Sequence, residues 1–423
     1  MRAGQDFASW IAENAITSHS LDPAAPPDDL EPLRELIGDA RVVAIGESSH
    51  HVEEYYRLRH RMLRFLVERC GFTDYVFEAP LTASKAVDDW IRGGAGTVTA
   101  AVADADLDLC RCGAMRDTLA WLRDHNRDAA RPVRFTGALA GSGGSSLADL
   151  HEVAAYLGAD DPDALPLVER AIDAIRHYHD DVLLRSIQNY ASVEEPIRDA
   201  LTAALSRLSA RMLSMTGTQA DRGRGAEHRA ASLLVQGAWR LDHLHRDVSG
   251  SGLAIGSTSL DAFMAEVVLH RLAEGGPAAR VVLALHNVHL RATPVAHDGP
   301  AGLHPTGRVL REALGDDYVA IAVTTDGGQA VTGELDPDAP LGISLTAGAV
   351  PPLLEGSMET AFRDVDAPLT IADLRAARGR VTDVGSFHRM RSEDGFLGVP
   401  VFEAFDAVAR LHRTSCTEDV PLG

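Results

Sequence analysis

The chain has 423 residues, 45% hydrophobic and 24% charged, enough to bury one large core or two ordinary ones. A formal net charge of −21 argues against nucleic acid and anionic membrane as partners, because both are polyanions that need clustered Lys and Arg. No apolar run approaches the ~20 residues that span a bilayer, and Asp6 and Glu13 stand where a signal peptide has its apolar core.

In chain order, a proline-rich lead-in at 22–29 (DPAAPPDD) runs into a short helix at 30–37, and an apolar run at 42–45 predicts a strand. The stretch 53–69 sets Tyr55, Leu58, Met62, Phe65 and Leu66 at helical spacing. Its arginines at 57, 61 and 64 read as a solvated or salt-bridged face. Residues 74–77 predict the next buried strand, 82–92 and 114–124 helices, and 133–137 a third strand. From 147 to about 246 the pattern is helical throughout, with helices at 148–157, 165–189, 196–215 and 225–245. A helix at 259–274 follows, then strands at 280–285, 318–324 and 405–413. The Gly- and Pro-rich stretch 326–397 yields no assignment.

Strands alternating with helices predict an α/β fold, a mostly parallel central sheet flanked by helices. A large all-helical insertion is expected to form one wall of a deep active-site cleft. The expected division is an N-terminal part of the core at 1–146, a helical subdomain at 147–250 and a C-terminal part of the core at 251–423. Cys110 and Cys112 are too close for an ordinary bridge, and Cys70 is expected to face a core. The expectation is a reduced, cytoplasmic protein without a disulfide framework; its oligomeric state is not legible.

In open parallel sheets, sites lie outside the carboxyl ends of the strands. Three predicted strands run straight into reactive groups: 42–45 into Gly46-Glu47-Ser48-Ser49-His50-His51, 74–77 into Glu78, and 281–285 into His286-Asn287-Val288-His289. Each has a plainer role available. Glu47 suits a helix N-terminus, Glu78 suits a pairing arginine, and a lone histidine is more often a satisfied core residue. Three strand ends carrying such groups together favour a reactive site. Ser48 and Ser49 do not sit in a G-x-S-x-G elbow. His50, His51, Glu78, His286 and His289 are suitable zinc or iron ligands, so a metal site is the stronger rival.

These residues resemble the erythromycin esterase family. The likeness rests on G-E-x-x-H at Gly46–His50, the helix YYRLRHRMLRFLVE, the strand ending in Glu78, the segment DAFMAE from Asp261, and the later His286-Asn287-Val288-His289. It runs from about residue 30 to 417. The resemblance implies hydrolysis of a macrocyclic lactone by activated water, with no covalent intermediate and no obligatory metal. It makes His50 the general base and Glu47 and Glu78 its acidic partners. Arg59 and His286 complete the catalytic set, and His51, His289, Glu54 and Asn287 line the substrate. Arg59 or a protonated His286 is the expected donor to the oxyanion.

The chain departs from that pattern at His51, where glycine is usual, at Leu139 and Leu260, where polar groups are common, and at Val267. The expected function is therefore hydrolysis of a lactone or ester of a macrolide or related natural product, with antibiotic resistance as one role. The alternative is a biosynthetic tailoring enzyme using the same His/Glu site for acyl transfer, cyclisation or elimination. The expected partner is a small-molecule natural product. No cofactor is expected, and zinc is the main alternative.

Overall fold

The structure, a computed structural model, describes residues 5–105, 107–250, 258–295, 303–339 and 342–418. The predicted start of the C-terminal part at 251 lies outside them.

Six strands make the parallel body of one sheet: β2 (Val42–Ile45), β3 (Asp74–Pro80), β4 (Arg134–Leu139), β5 (Val281–Ala284), β6 (Tyr318–Thr325) and β12 (Ala407–Leu411). At one side β9 (Leu369–Asp373) adds antiparallel to β12, and β1 (Ile16–Ser18) adds antiparallel to β9. The spatial order is β1-β9-β12-β6-β2-β5-β3-β4. Two separate hairpins, β7 (Gln329–Leu335) with β8 (Ile343–Ala349) and β10 (Arg389–Ser392) with β11 (Gly395–Gly398), occupy the stretch that the sequence left unassigned. The central strands are apolar without alternation because both sheet faces are covered. Val43 and Ile45 join one core, Val42 and Ala44 the other.

The first core is closed by α2 (Leu33–Ile37), α3 (Glu53–Cys70), α4 (Ser84–Ile91), α5 (Val98–Asp104) and α6 (Gly113–Asp128). The second is closed by α1 (Phe7–Asn14), α12 (Thr258–Gly275), α13 (Asn287–Leu290) and α14 (Thr306–Leu314). Between β4 and α12 lies the helical region: α7 (Leu147–Asp160), α8 (Leu165–Ile175), α9 (Leu183–Ser192), α10 (Glu195–Asp221) and α11 (Gly225–Val248). It packs a core of its own around Leu150, Val168, Leu205 and Val235. Among the described residues, no helix is long and apolar enough to cross a membrane, and all four cysteines are free.

α3 supports the turn at residues 46–51 that precedes it. It buries Tyr55, Leu58, Met62, Phe65 and Leu66, and ends at Gly71, whose φ of +74° is the left-handed conformation that glycine adopts without strain. Its arginines at 57, 61 and 64 are all salt-bridged, to Glu53, Asp29 and Glu68, as one form of the expected face. Arg57 is exposed and pairs with Glu53, whereas Arg61 is buried and donates to the carbonyls of Asp22 and Pro26. Arg61 thus anchors the proline-rich lead-in.

The helix predicted at 165–189 breaks between α8 and α9. There Asp180 Oδ1 accepts from Val182 N at 2.9 Å, and Ser186 Oγ donates to Gly143 O at 2.6 Å. Short polar side chains that bond the backbone compete with the helical ladder.

Candidate active site

The turn that carries Glu47 and His50 starts where β2 ends. Gly46 is required there by close approach: a Cβ at this position would lie 1.9 Å from Asn287 Oδ1. Asn287 is buried and holds three strands together. Its amide donates to Val323 O at 2.8 Å and accepts from Val323 N at 3.0 Å, while its own N–H donates to Glu47 O at 2.8 Å. The predicted substrate-lining residue is therefore a staple between β2, β5 and β6.

Glu47 is fully buried, with one oxygen on each of two partners. Oε1 lies 2.7 Å from His50 Nδ1, and Oε2 lies 2.8 Å from the Arg59 guanidinium. Burial pushes its pKa up, but Arg59 and His50 outweigh that and hold the carboxyl down at about 2. The remaining Arg59 donors reach Ile45 O at 3.3 Å and Leu285 O at 2.7 Å. Its charge faces Glu47 and its other donors hold the strand ends, so Arg59 clamps the turn, with Nη1 lacking a hydrogen-bond partner among the described residues.

His50 is 35% exposed, and its Nε2 lies 3.9 Å from Glu78 Oε1. Burial disfavours its imidazolium, yet the charges of Glu78 and Glu47 overcome this and raise the pKa to about 9. Glu78 in turn accepts the His286 backbone N–H at 2.7 Å through Oε2. His289 reaches the same Oε1 of Glu78 from the other side, at 3.8 Å, while its Nδ1 bonds Asp261 Oδ1 at 2.8 Å. Burial lowers the His289 pKa, but Asp261 and Glu78 more than compensate, and the net shift is upward.

His286 behaves in the opposite way. Burial and the neighbouring His50 charge pull its pKa to about 4, so it is neutral at pH 7 instead of protonated as expected. Its Nδ1 accepts from Val288 N at 3.2 Å, capping α13. That fixes the tautomer with the proton on Nε2, a buried donor without a partner among the described residues. The His50 and His286 rings meet edge to face at 5.4 Å.

Glu47, His50, Glu78, His286 and His289 thus converge, with Arg59 behind Glu47. Asp261 belongs with them; its position in the DAFMAE segment was legible, but a carboxylate in a helix's first turn reads equally well as a cap. Glu54 is directed elsewhere and binds Ser415 N and Oγ at 2.7 and 2.8 Å. His51 has a left-handed backbone (φ +57°), unusual for a non-glycine residue. Its buried ring turns to Asp108, 3.5 Å away. Ser48 Oγ bonds Tyr55 OH at 2.6 Å, and Ser49 Oγ meets Val331 O at 2.9 Å and the His50 backbone carbonyl at 3.1 Å, so neither hydroxyl is bonded to the His50 imidazole.

Glu47, His50 and Glu78 offer three donor atoms within 4.8 Å of one another, a spacing compatible with a metal ion. The donor set fits one poorly. A proton already bridges His50 and Glu47 at 2.7 Å, and the Arg59 cation holds the other Glu47 oxygen.

The sequence profile of the erythromycin esterase family matches residues 67–414. The chain is 26% identical to an Escherichia coli erythromycin esterase type II, over 98% of this chain and 99% of that protein. It is 25% identical to an Escherichia coli erythromycin esterase type I, over 90% and 92%. Its fold matches a mutant of the erythromycin esterase EreC in an open conformation, with a TM-score of 0.84 at 23% identity, covering 97% of this chain and 100% of that one. A succinoglycan biosynthesis protein matches with a TM-score of 0.75 at 19% identity over 97% of both chains.

Proposed function

The chain belongs to the erythromycin esterase family, and from that premise we propose that it hydrolyses an ester or lactone of a small molecule with water activated at His50. The observation that carries the reading is His50 itself, open to solvent on one edge and held between the carboxylates of Glu47 and Glu78. In its neutral form His50 donates Nδ1–H to Glu47, which leaves the Nε2 lone pair to take a proton from water. Glu78 then stabilises the imidazolium formed beside it.

As water attacks, the carbonyl oxygen gains charge and is met by the Nε2–H of neutral His286. Such a donor, fixed before reaction, stabilises the oxyanion without reorganising. His289, oriented by Asp261, returns a proton to the departing alkoxide. Two histidines with opposite shifts, one held neutral and one favoured as imidazolium, divide the donor and acid roles between them. The products are a carboxylic acid and an alcohol, or the opened hydroxy acid of a lactone. A macrolide or related natural product is the proposed substrate class.

The test is mass spectrometry of a panel of macrolides, simpler lactones and linear esters incubated with the protein. Hydrolysis adds one water to the ring or releases acid and alcohol, and His50→Ala lowers the rate by about 10²–10⁴-fold. Products that keep the substrate mass, or a His50→Ala variant at full rate, overturn the reading.

A further inference from the structure

We propose that the pocket beside Glu78 and Asp261 is a subsite for an apolar arm of the substrate, an alkyl or aromatic group bearing one oxygen that hydrogen-bonds His245. The inference rests on the ester-hydrolase reading for its link to the reaction, though not for binding itself.

The pocket encloses about 260 Å³ and is walled by Leu139, Leu183, Ile187, Leu241, Leu244 and Leu260, together with the glycine-rich turn after β4. Its position ties it to the chemistry. Pro80 lines it two residues beyond Glu78 and pairs with Leu139 across β3 and β4. Leu260 immediately precedes Asp261, the carboxylate that orients His289. The other walls come from α9 and α11 of the helical region, so the reacting groups and the pocket share the same strand ends. The volume lies below the roughly 300–1,000 Å³ of sites that enclose a whole drug-sized ligand. It suits one arm of a molecule whose ester remains outside, at His50.

A wholly apolar pocket would accept any greasy group, but one feature here asks for more. His245 lines the pocket at 1% exposure, and its ring nitrogens meet only the Gly144 backbone, at poor hydrogen-bond geometry, which leaves at least one of them without a partner among the described residues. Its ring is fixed by Tyr178 and Tyr190, at centroid distances of 5.3 and 5.0 Å. Burial pulls its pKa to about 4 against the weaker opposing hydrogen bond with the Gly144 backbone, so the ring is neutral and keeps one nitrogen for a ligand. A buried polar group left unpaired is costly, and a ligand oxygen in the pocket supplies the missing partner.

The experiment uses straight-chain carboxamides, from acetamide to decanamide, as non-ester probes, with binding followed by titration calorimetry. Affinity should rise roughly fourfold per added methylene until the pocket is full, then level off. Ile187→Trp, which fills the pocket from its half-buried edge, and Leu260→Arg, which places a charge in it, should each flatten that slope. His245→Phe should keep the slope but remove an about tenfold preference for chains carrying a hydroxyl or keto group over plain chains. A wild-type affinity independent of chain length, or an unchanged slope in Ile187→Trp, overturns the subsite. Failure of the two readings is distinguishable. Amides that bind with the predicted slope while no ester is cleaved refute the hydrolase reading alone; esters cleaved without any chain-length preference refute the subsite alone.

Discussion

Replacing Glu78 with glutamine probes the proposed proton chemistry at its centre. His50 Nε2 lies 3.9 Å from Glu78 Oε1, and Nδ1 lies 2.7 Å from Glu47 Oε1. Burial alone would depress the imidazole; the two carboxylates reverse this and bring it to about 9 from 6.5. At about 1.4 kcal/mol per pH unit that difference is roughly 3 kcal/mol in favour of the imidazolium. Solvent screening at this 35% exposed side chain trims it to on the order of 2 kcal/mol. At pH 7 only about 1% of such a group is in the base form, so kcat/KM of the unaltered protein should climb with pH until the limb bends near 9. Glutamine still accepts the His286 N–H but removes the charge that raises His50 most. The alkaline limb should move down by about one to two pH units, and its plateau should drop about 10- to 100-fold, because the base is weaker and its imidazolium less stabilised. The assay is kcat/KM for a chromogenic ester from about pH 5 to 10.5, with an NMR titration of the imidazole to assign the limb. A profile flat across neutrality, or a limb that stays in place in Glu78→Gln, refutes the assignment of His50 as base. The sign for folding follows from the same raised pKa. The contribution of His50 to stability is complete below about 6.5 and is lost as pH rises through about 9.

Gly46→Ala drives a methyl into the Asn287 amide and should destabilise the fold by about 3 kcal/mol or more; in denaturant melts, the double variant with Asn287→Ala should recover part of the steric cost, and additive losses would contradict the contact. His60, His245 and His286 are buried with pKa values pulled to about 4. Their contribution is present above 6.5 and drains as pH falls through 4, by about 2 kcal/mol each at pH 5. Calorimetric Tm should therefore fall between pH 7 and 5, and an unchanged Tm would contradict their neutral state. Dialysis against a chelator should leave ester turnover within about twofold; a loss restored by zinc would put a metal on Glu47, His50 and Glu78 in place of the His50–Glu47 hydrogen bond.

The parallel body of the sheet was legible because each central strand is an apolar run covered on both faces, and the reactive groups follow those runs directly. β9 was not. Its five residues pair antiparallel in a Gly- and Pro-rich context, and nothing local separates them from a loop. The break after α8 was hidden because apolar residues recur at helical spacing on both sides, and only Ser186 and Asp180 finding backbone partners stops the helix. In the site, proximity in sequence marked the segment but not the direction of each side chain. Glu54 and Asn287 lie within the motifs yet bond structural partners, whereas Asp261, 28 residues before His289, orients that ring. Arg59 is similar: its position on α3 was readable, but its use as a clamp depends on carbonyls brought to it by two separate strands.

Asn287 and Arg59 brace the strand ends from within, one through Val323 and Glu47, the other through Ile45 and Leu285. The proposed acid and base groups therefore sit on a scaffold whose spacing is set by the strand ends themselves. The helical region meets that scaffold through apolar surfaces such as those of Leu139 and Leu260, which impose no comparable geometric code. On the proposed reading, bond-breaking and selection are lodged in separable parts of one chain. A lineage, or an engineer, can redraw α9 and α11 to recruit new molecules while inheriting the reaction intact.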